Sequence, residues 1–165
     1  MHAEARRESG ADQHPVAELL ACPSEISALL NSAAQCIDFE QGDRIFRQGA
    51  SCHGLYVVVS GQLIRRSERL ESRIVLGLAR PGDLVELAAV LSEGHHTYSL
   101  VAQSPGSLVL LPSEALQKAF ASFPPLRMNL LEELAREVSR AYIHIAMACN
   151  LRRRHRTSQS SDRSV

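Results

Sequence analysis

The middle of the chain, between Cys36 and Leu111, consists of short runs rich in Val, Ile and Leu that alternate with glycine-containing turns. Short apolar runs bounded by turn signals are typical of β-strands. No stretch between them is long enough for a crossover helix, which disfavours a parallel doubly wound sheet. The pattern predicts a mainly β fold with flanking helices, an eight-stranded β-roll or jelly-roll barrel (a double-stranded β-helix).

The pair Ser60-Gly61 predicts a hairpin turn between two strong runs. The predicted strands are Ile37–Phe39, Arg44–Phe46, Leu55–Val59, Gln62–Arg65, Arg73–Leu78, Leu84–Val85, Ser99–Ala102 and Ser107–Leu111.

Two short helices are predicted, one on each side of the strand region. The first covers Ser24–Ala34, where three apolar residues share one face, and Ser24 can act as its N-cap. The second covers Glu114–Phe120, with Ser113 as its N-cap.

A long helix is predicted from Leu126 to Leu151, with Pro125 in its first turn. Apolar residues recur along this helix at alternating spacings of three and four, as in the a/d seam of a coiled coil. A helix of this length measures about 39 Å, more than a small barrel can cover, so part of it projects or pairs. The helix either packs on its own barrel or forms a parallel two-helix seam, and we favour the seam, which implies a homodimer. The seam residues are Leu131, Leu134, Val138, Ala141, Ile145 and Ala148.

The composition is that of a soluble globular protein, with 45% apolar and 22% charged residues among 165. No run of about 18 apolar residues occurs, so no membrane span is predicted. Residues 1–15 are polar and lack the apolar core of a secretory signal, so we expect a disordered tail and a cytoplasmic location. The predicted division is this tail, a roll with flanking helices over 16–125, a dimerisation helix over 126–151 and a basic disordered tail over 152–165.

Charge is unevenly distributed, although the formal net charge is 0. Residues 1–150 are mildly acidic, whereas residues 151–165 carry an excess of arginine. A basic run of this kind is usually a solvated terminus; the alternative is weak contact with nucleic-acid phosphates, without sequence preference. The arginines concerned are Arg152, Arg153, Arg154 and Arg156.

The order of elements resembles the cyclic nucleotide-binding domain, and within that group the effector domain of Crp/Fnr transcription regulators. Three segments and the long helix carry the resemblance: FEQGDRIFRQG at 39–49, LYVVVSGQL at 55–63 and RPGDLVELAAVL at 80–91. The turn glycines of the family fall at Gly42, Gly49, Gly61 and Gly82. Together these features cover about residues 24–150. The resemblance implies a β-roll that senses a small effector and dimerises through its long helix.

The same resemblance implies a phosphate-binding segment near residues 85–98. The family segment reads Gly-Glu-Leu-Ala, then a short helix and a loop, then Arg-Ser/Thr-Ala. Its glutamate accepts from the ribose hydroxyl, while helix amides and the arginine bind the cyclic phosphate. The purine-contacting positions on the long helix correspond to Glu137, Ala141 and Tyr142. The implied ligand-binding residues are Val85, Glu86, Leu87, Ala88, His96, Thr97, Glu137 and Tyr142.

Two positions depart from the family pattern. His96 stands where the arginine is expected, and a neutral imidazole supplies one donor where a guanidinium supplies five and a fixed charge. Val85 replaces the glycine and adds bulk where the backbone approaches the ligand. We therefore expect a diverged pocket, whose effector is cAMP, cGMP or another small anion.

Neither a metal site nor catalysis is predicted. The four cysteines are scattered and form no C-x-x-C pair of the kind found in zinc and redox sites. His95 and His96 are neighbours, and adjacent residues on a strand point to opposite faces, so they chelate poorly together. No nucleophile elbow, H-E-x-x-H or P-loop motif occurs, so the chain is not expected to be an enzyme.

These features predict a stand-alone, dimeric effector-sensing module of Crp/Fnr type. In that family the long helix leads into a helix-turn-helix domain, and residues 151–165 are too few to form one. The module is therefore expected to lack sequence-specific DNA binding of its own. It would act as a homodimer or as a heterodimer with a full-length relative. The alternatives are a structural dimer without ligand and a weak nucleic-acid binder that uses the arginine-rich tail.

Overall fold

The computed structural model describes residues 20–68, 74–92 and 94–160, without the side chains of residues 74, 144–146 and 148–160. The predicted tail over 1–15 lies outside the described residues. A mainly β fold with flanking helices is confirmed. Its helices are α1 Ser24–Ala33, α2 Leu87–Leu91, α3 Ser113–Ser122 and α4 Pro125–Ser160. Its strands are β1 Gln35–Phe39, β2 Arg44–Phe46, β3 Gly54–Ser60, β4 Leu63–Ser67, β5 Ile74–Ala79, β6 Leu84–Val85, β7 Ser99–Ala102 and β8 Gly106–Pro112.

The strands form two four-stranded sheets rather than one closed barrel. One sheet has the order β1-β8-β3-β6 and the other the order β2-β7-β4-β5. Every pairing between these strands is antiparallel. The expectation against a parallel doubly wound sheet is therefore confirmed, and the predicted β-roll or jelly-roll barrel takes the form of two four-stranded sheets that do not close into one barrel.

The predicted hairpin at Ser60-Gly61 is wrong. Strand β3 pairs with β8 and β6, and β4 pairs with β5 and β7, so the turn carries the chain from one sheet to the other. Gly61 has a φ of +83°, and a Cβ there would lie 2.7 Å from the carbonyl oxygen of Pro105. A glycine is required at this crossing because the conformation is left-handed and the two chain segments nearly touch.

The core lies between the two sheets, with a second buried layer beneath the helices. Alternate residues of β3 point into the two layers. Tyr56 and Val58 belong to the core between the sheets, and Leu55 and Val57 are buried on the opposite face of the strand. Helices α1 and α3 pack against one another, and both pack on β8. Burial on both faces explains why β3 is a continuous apolar run. The core between the sheets contains Phe39, Phe46, Tyr56, Val58, Leu63, Ala79, Val85, Tyr98, Leu100, Ala102, Leu108 and Leu110.

In α1 and α3 the N-cap residue lies one position before the predicted one. Pro23 and Pro112 occupy the N-cap positions in extended conformations, and no side-chain cap hydrogen bond is present at either helix. Ser24 and Ser113 are therefore the first helical residues rather than the caps. A proline fits the position before a helix because its ring fixes φ near the value that an extended cap needs.

Helix α4 begins at Pro125 and continues to Ser160, so it ends nine residues later than the predicted Leu151. The chain divides into two compact units, residues 1–131 and 132–165. Leu126 and Leu130 are buried and belong to the first unit. No helix in the described part of the chain has both the length and the apolar character needed to cross a membrane.

The predicted seam is only partly within the described side chains. Leu131 and Val138 are exposed in the single chain, to 38% and 60%, Ala141 is exposed, and Leu134 is half-buried. The side chains of Ile145 and Ala148, and those of the arginine-rich tail, lie outside the described residues. The dimer stays a prediction at this point.

Candidate functional site

Glu86 joins strand β6 to helix α2 in an unusual backbone conformation. Its φ is +74° and its ψ is 28°, in the left-handed region that costs a residue with a Cβ about 1–2 kcal/mol. Its carbonyl oxygen accepts the hydrogen bond from the Val90 amide that closes α2, and its own amide donates to the Tyr98 hydroxyl at 3.2 Å. These bonds hold a carboxylate side chain inward, and the residue is only 1% exposed.

His96 reaches the same place from the segment before β7. Its amide donates to Ala50 and its carbonyl oxygen accepts from Gly49, both at 2.8 Å. The imidazole stacks on the ring of Phe46, with centroids 3.8 Å apart and planes 3° from parallel. This packing leaves His96 4% exposed and turns its ring towards Glu86.

The imidazole and the carboxylate form a buried ion pair that is too long for a direct hydrogen bond. Nδ1 of His96 lies 3.6 Å from Oε1 of Glu86. Among the described residues neither atom has a hydrogen-bond partner, although Oε2 of Glu86 accepts from the Thr97 amide at 3.3 Å. Burial alone would lower the pKa of His96, but the neighbouring Cys52 and Glu86 outweigh it and raise that pKa to about 9. The ring is therefore cationic at neutral pH.

Cys52 is the third polar member of the cluster. Residues 49–52 run antiparallel to residues 94–96, with a bridge between Ser51 and His95 and a 2.6 Å bond from the Cys52 amide to Gly94. This pairing brings the ligating atoms of Cys52, Glu86 and His96 within 4.8 Å of one another. Sequence reasoning missed Cys52 because it forms no motif with the other two; only the pairing of two loops makes them neighbours.

Tyrosine and arginine side chains border the cluster. Burial, with smaller effects from Cys52 and Glu86, raises the pKa of Tyr56 to about 12, so its hydroxyl stays neutral. The guanidinium carbon of Arg65 lies 5.7 Å from the centroid of the Tyr98 ring, within the range of a cation–π contact. Arg65 therefore places a second cation beside the tyrosine that bonds the Glu86 backbone, a feature that no spacing in the sequence signals.

The structure brings together only some of the residues implied by the family resemblance. Glu86 and His96 meet directly, and Thr97 takes part through its backbone while its side chain is exposed. Val85 is fully buried in the core between the sheets, Leu87 is buried and Ala88 is half-buried. Glu137 and Tyr142 lie on α4 in the second compact unit, and their predicted contact with ligand stays a prediction.

The comparisons with known proteins agree on one family. The model of the cyclic nucleotide-binding domain matches residues 36–123. A CRP-like cAMP-activated global transcriptional regulator of Mycobacterium tuberculosis is 28% identical over 125 residues, which are 75% of this chain and 55% of the relative. The transcriptional activator protein Anr of Pseudomonas protegens is 32% identical over 101 residues, or 60% of this chain and 41% of the relative. The chain thus spans about half the length of the curated relatives it matches.

The fold agrees with a solved structure of the same kind. The catabolite activator protein of Thermus thermophilus is 29% identical and superposes with a TM-score of 0.65, covering 78% of this chain and 60% of that protein.

Proposed function

This chain belongs to the cyclic nucleotide-binding domain family, and we propose that it is a regulatory sensing module in which the buried Glu86–His96 pair receives a cyclic nucleotide or another small anion. One observation carries the proposal. A buried carboxylate and a buried imidazole face each other, and the resemblance aligns these two residues with the ribose- and phosphate-binding positions of the family. Their facing atoms have no hydrogen-bond partner in the described part of the chain, so each has capacity for a ligand group.

The two side chains have complementary tasks in this proposal. The Glu86 carboxylate would accept a hydrogen bond from a ribose hydroxyl, and the His96 imidazolium would donate to the phosphate. The phosphate must compete with Glu86 for the same imidazolium, so binding is expected to be weaker than with an arginine at that position.

The relatives favour cAMP as the first ligand to test, since one of them is named as cAMP-activated. cGMP differs only in the purine, which in this proposal is contacted by Glu137 and Tyr142 of α4. Relatives that respond to cAMP have an arginine and a threonine or serine for this contact, whereas this chain has Glu137 and Tyr142. Titration with cAMP and with cGMP therefore decides which purine is preferred.

The output of the module would pass through α4. Exposed apolar side chains on this helix, Leu131 and Val138, support its pairing with a second copy or with a full-length Crp/Fnr-type relative. A ligand that binds one arrangement of the paired helices more tightly shifts the protein towards it. In this proposal the two sheets bind the effector and α4 transmits the binding event to the partner chain, with no catalytic step.

Calorimetric titration with cAMP and cGMP in a buffer containing EDTA tests the proposal. Glu86→Gln keeps the shape of the side chain but removes its charge, and a hydrogen bond to a charged group is worth roughly 1.5–3 kcal/mol, so affinity should fall about 10- to 150-fold. The matched control is Glu114→Gln, because Glu114 is exposed on α3 and pairs only with Lys118 among the contacts described. If neither the wild type nor a His96→Arg variant binds at millimolar nucleotide, the proposal is wrong and a structural dimer without ligand is the better interpretation.

A further inference from the structure

Cys52, Glu86 and His96 bring together three different types of metal ligand in one place. A thiol sulfur, a carboxylate oxygen and an imidazole nitrogen lie within 4.8 Å of one another. Glu86 and His96 are buried, and Cys52 is half-buried. We propose that these three residues form a binding site for a divalent transition metal of the zinc type. The proposal goes beyond the nucleotide function, since it assigns a second ligand to Glu86 and His96.

The spacing of the three atoms is close to what one ion requires. Zinc binds sulfur at about 2.3 Å and nitrogen or oxygen at about 2.0–2.2 Å, so ligands of one tetrahedral ion lie roughly 3.4–3.6 Å apart. Nδ1 of His96 and Oε1 of Glu86 are already 3.6 Å apart. All three ligand atoms lie within 4.8 Å of one another, so the Cys52 sulfur has to approach by no more than about 1.2–1.4 Å to complete three corners of the tetrahedron.

Cys52 is the member best placed to make this movement. Its amide is bonded to Gly94, but its side chain can turn without a movement of the backbone. The His96 ring is held by its stacking on Phe46, and the Glu86 carboxylate accepts from the Thr97 amide. The Cys52 thiol donates to the Gly54 carbonyl at 3.2 Å. Metal binding would release two protons to water, one from the Cys52 thiol and one from the His96 imidazolium, and the thiol would exchange its weak bond for a metal–sulfur bond.

The unpartnered buried atoms are the independent sign that a ligand belongs here. Nδ1 of His96 and Oε1 of Glu86 have no hydrogen-bond partner among the described residues, and both side chains are more than nine-tenths buried. Buried polar atoms without partners are costly, and a cation between them satisfies both. A thiolate and a carboxylate together also balance the two positive charges of the metal. The fourth coordination position would be left for water or an exchangeable group.

The metal and the nucleotide would exclude one another, because both use Glu86 and His96. The metal-loaded protein should therefore bind cAMP more weakly than the metal-free protein. In this way the module would respond to metal availability as well as to an organic effector.

Titration of the purified, EDTA-treated full chain with Co²⁺ and Zn²⁺ tests the site. Co²⁺ should give a sulfur-to-cobalt charge-transfer absorption at one equivalent per chain, and Zn²⁺ should displace it. Cys52→Ser should remove the absorption, and His96→Gln should weaken metal binding by at least 10- to 100-fold, the loss typical even of outer-shell changes. The matched control, Cys36→Ser, changes an exposed cysteine on β1 and should leave the absorption unchanged.

A second readout uses the wild type alone and so does not depend on whether the variants fold. Zn²⁺ should protect Cys52 from alkylation, detected by mass spectrometry, while Cys22 and Cys36 react as before. Absence of the cobalt band together with unprotected Cys52 would overturn the metal site, as would an unchanged band in folded Cys52→Ser. Calorimetry with cAMP on the metal-free protein tests nucleotide binding separately from the cobalt titration. The metal site can therefore fail while cAMP binds, and cAMP binding can fail while the metal binds.

Discussion

In the proposed site, the side chain at position 96 sets how strongly an anion is attracted. In His96→Arg a guanidinium with five donors and a permanent charge would face Glu86, in place of one ring whose charge depends on pH. We expect cyclic-nucleotide affinity to rise by about 10- to 150-fold, the equivalent of one charged hydrogen bond. Calorimetry measures this change. His95→Arg is the matched control, since residue 95 is exposed one position away, and an equal gain there would reduce the effect to general surface charge.

The buried ion pair also makes stability depend on pH. The pKa of His96 is raised from 6.5 to about 9 in the folded protein, so folding binds its proton more tightly. The resulting stabilisation is fully present below about pH 6.5 and is lost as the pH rises towards 9. In metal-free protein the loss should be on the order of 1–3 kcal/mol. Urea unfolding from pH 6 to 9.5 measures it, and His96→Gln should flatten the difference; an identical pH profile in that variant would contradict the assignment.

Sequence alone identified two of the three residues in the polar cluster. Glu86 and His96 were implied by the resemblance of residues 85–98 to the family's phosphate-binding segment. Cys52 could not be found this way, because its proximity arises from loop pairing between residues 49–52 and 94–96. The burial of Val85 was also not predicted. The resemblance implied a ligand-binding residue there, whereas the structure places the side chain in the core between the sheets.

Strand positions were predictable, whereas strand partners were not. Runs such as Arg44–Phe46 and Ser99–Ala102 coincide with strands β2 and β7 because local apolar patterning and turn residues determine them. Pairing is decided by contacts distant in the chain. Strand β1, for example, pairs with β8 at the opposite end of the strand region. The hairpin prediction at Ser60-Gly61 was wrong for this reason, since neighbours in sequence joined different sheets.

The crossing between the sheets can be tested by adding one methyl group. Gly61→Ala would place a Cβ in a left-handed conformation and 2.7 Å from the Pro105 carbonyl oxygen. Gly42 has a similar φ of +92° but nothing within 4 Å, so Gly42→Ala isolates the conformational cost of roughly 1–2 kcal/mol. We expect Gly61→Ala to lower the free energy of unfolding by clearly more than Gly42→Ala. Urea denaturation compares them, and equal losses would show that the close approach does not matter.

Helix α4 offers a test of the proposed dimer. Val138 lies on the predicted seam and is 60% exposed in the single chain, so a partner helix would have apolar surface to cover. An aspartate there would bury an unpaired charge in the seam, and Val138→Asp should sediment as a monomer in analytical ultracentrifugation. Ser139→Asp adds the same charge one position away, off the seam, and should remain a dimer. A wild type that is monomeric at tens of micromolar would remove the basis for the seam.

The division of the chain into two compact units implies that sensing and pairing can be separated by truncation. Residues 1–131 retain Leu126 and Leu130, which are buried, whereas a chain cut after Phe123 loses both. Each buried leucine contributes about 1.5–3 kcal/mol, so the shorter chain should lose roughly 3–6 kcal/mol of unfolding free energy relative to the longer one. The 1–131 fragment should unfold cooperatively and sediment as a monomer, because it lacks every seam residue after Leu131. Urea denaturation and ultracentrifugation of both fragments beside the full chain give the answer. If the 1–131 fragment still dimerises, the interface lies on the sheets or short helices and not on the part of α4 beyond residue 131. If the fragment fails to fold while the full chain is stable, the second unit stabilises the first, and the two units do not fold independently.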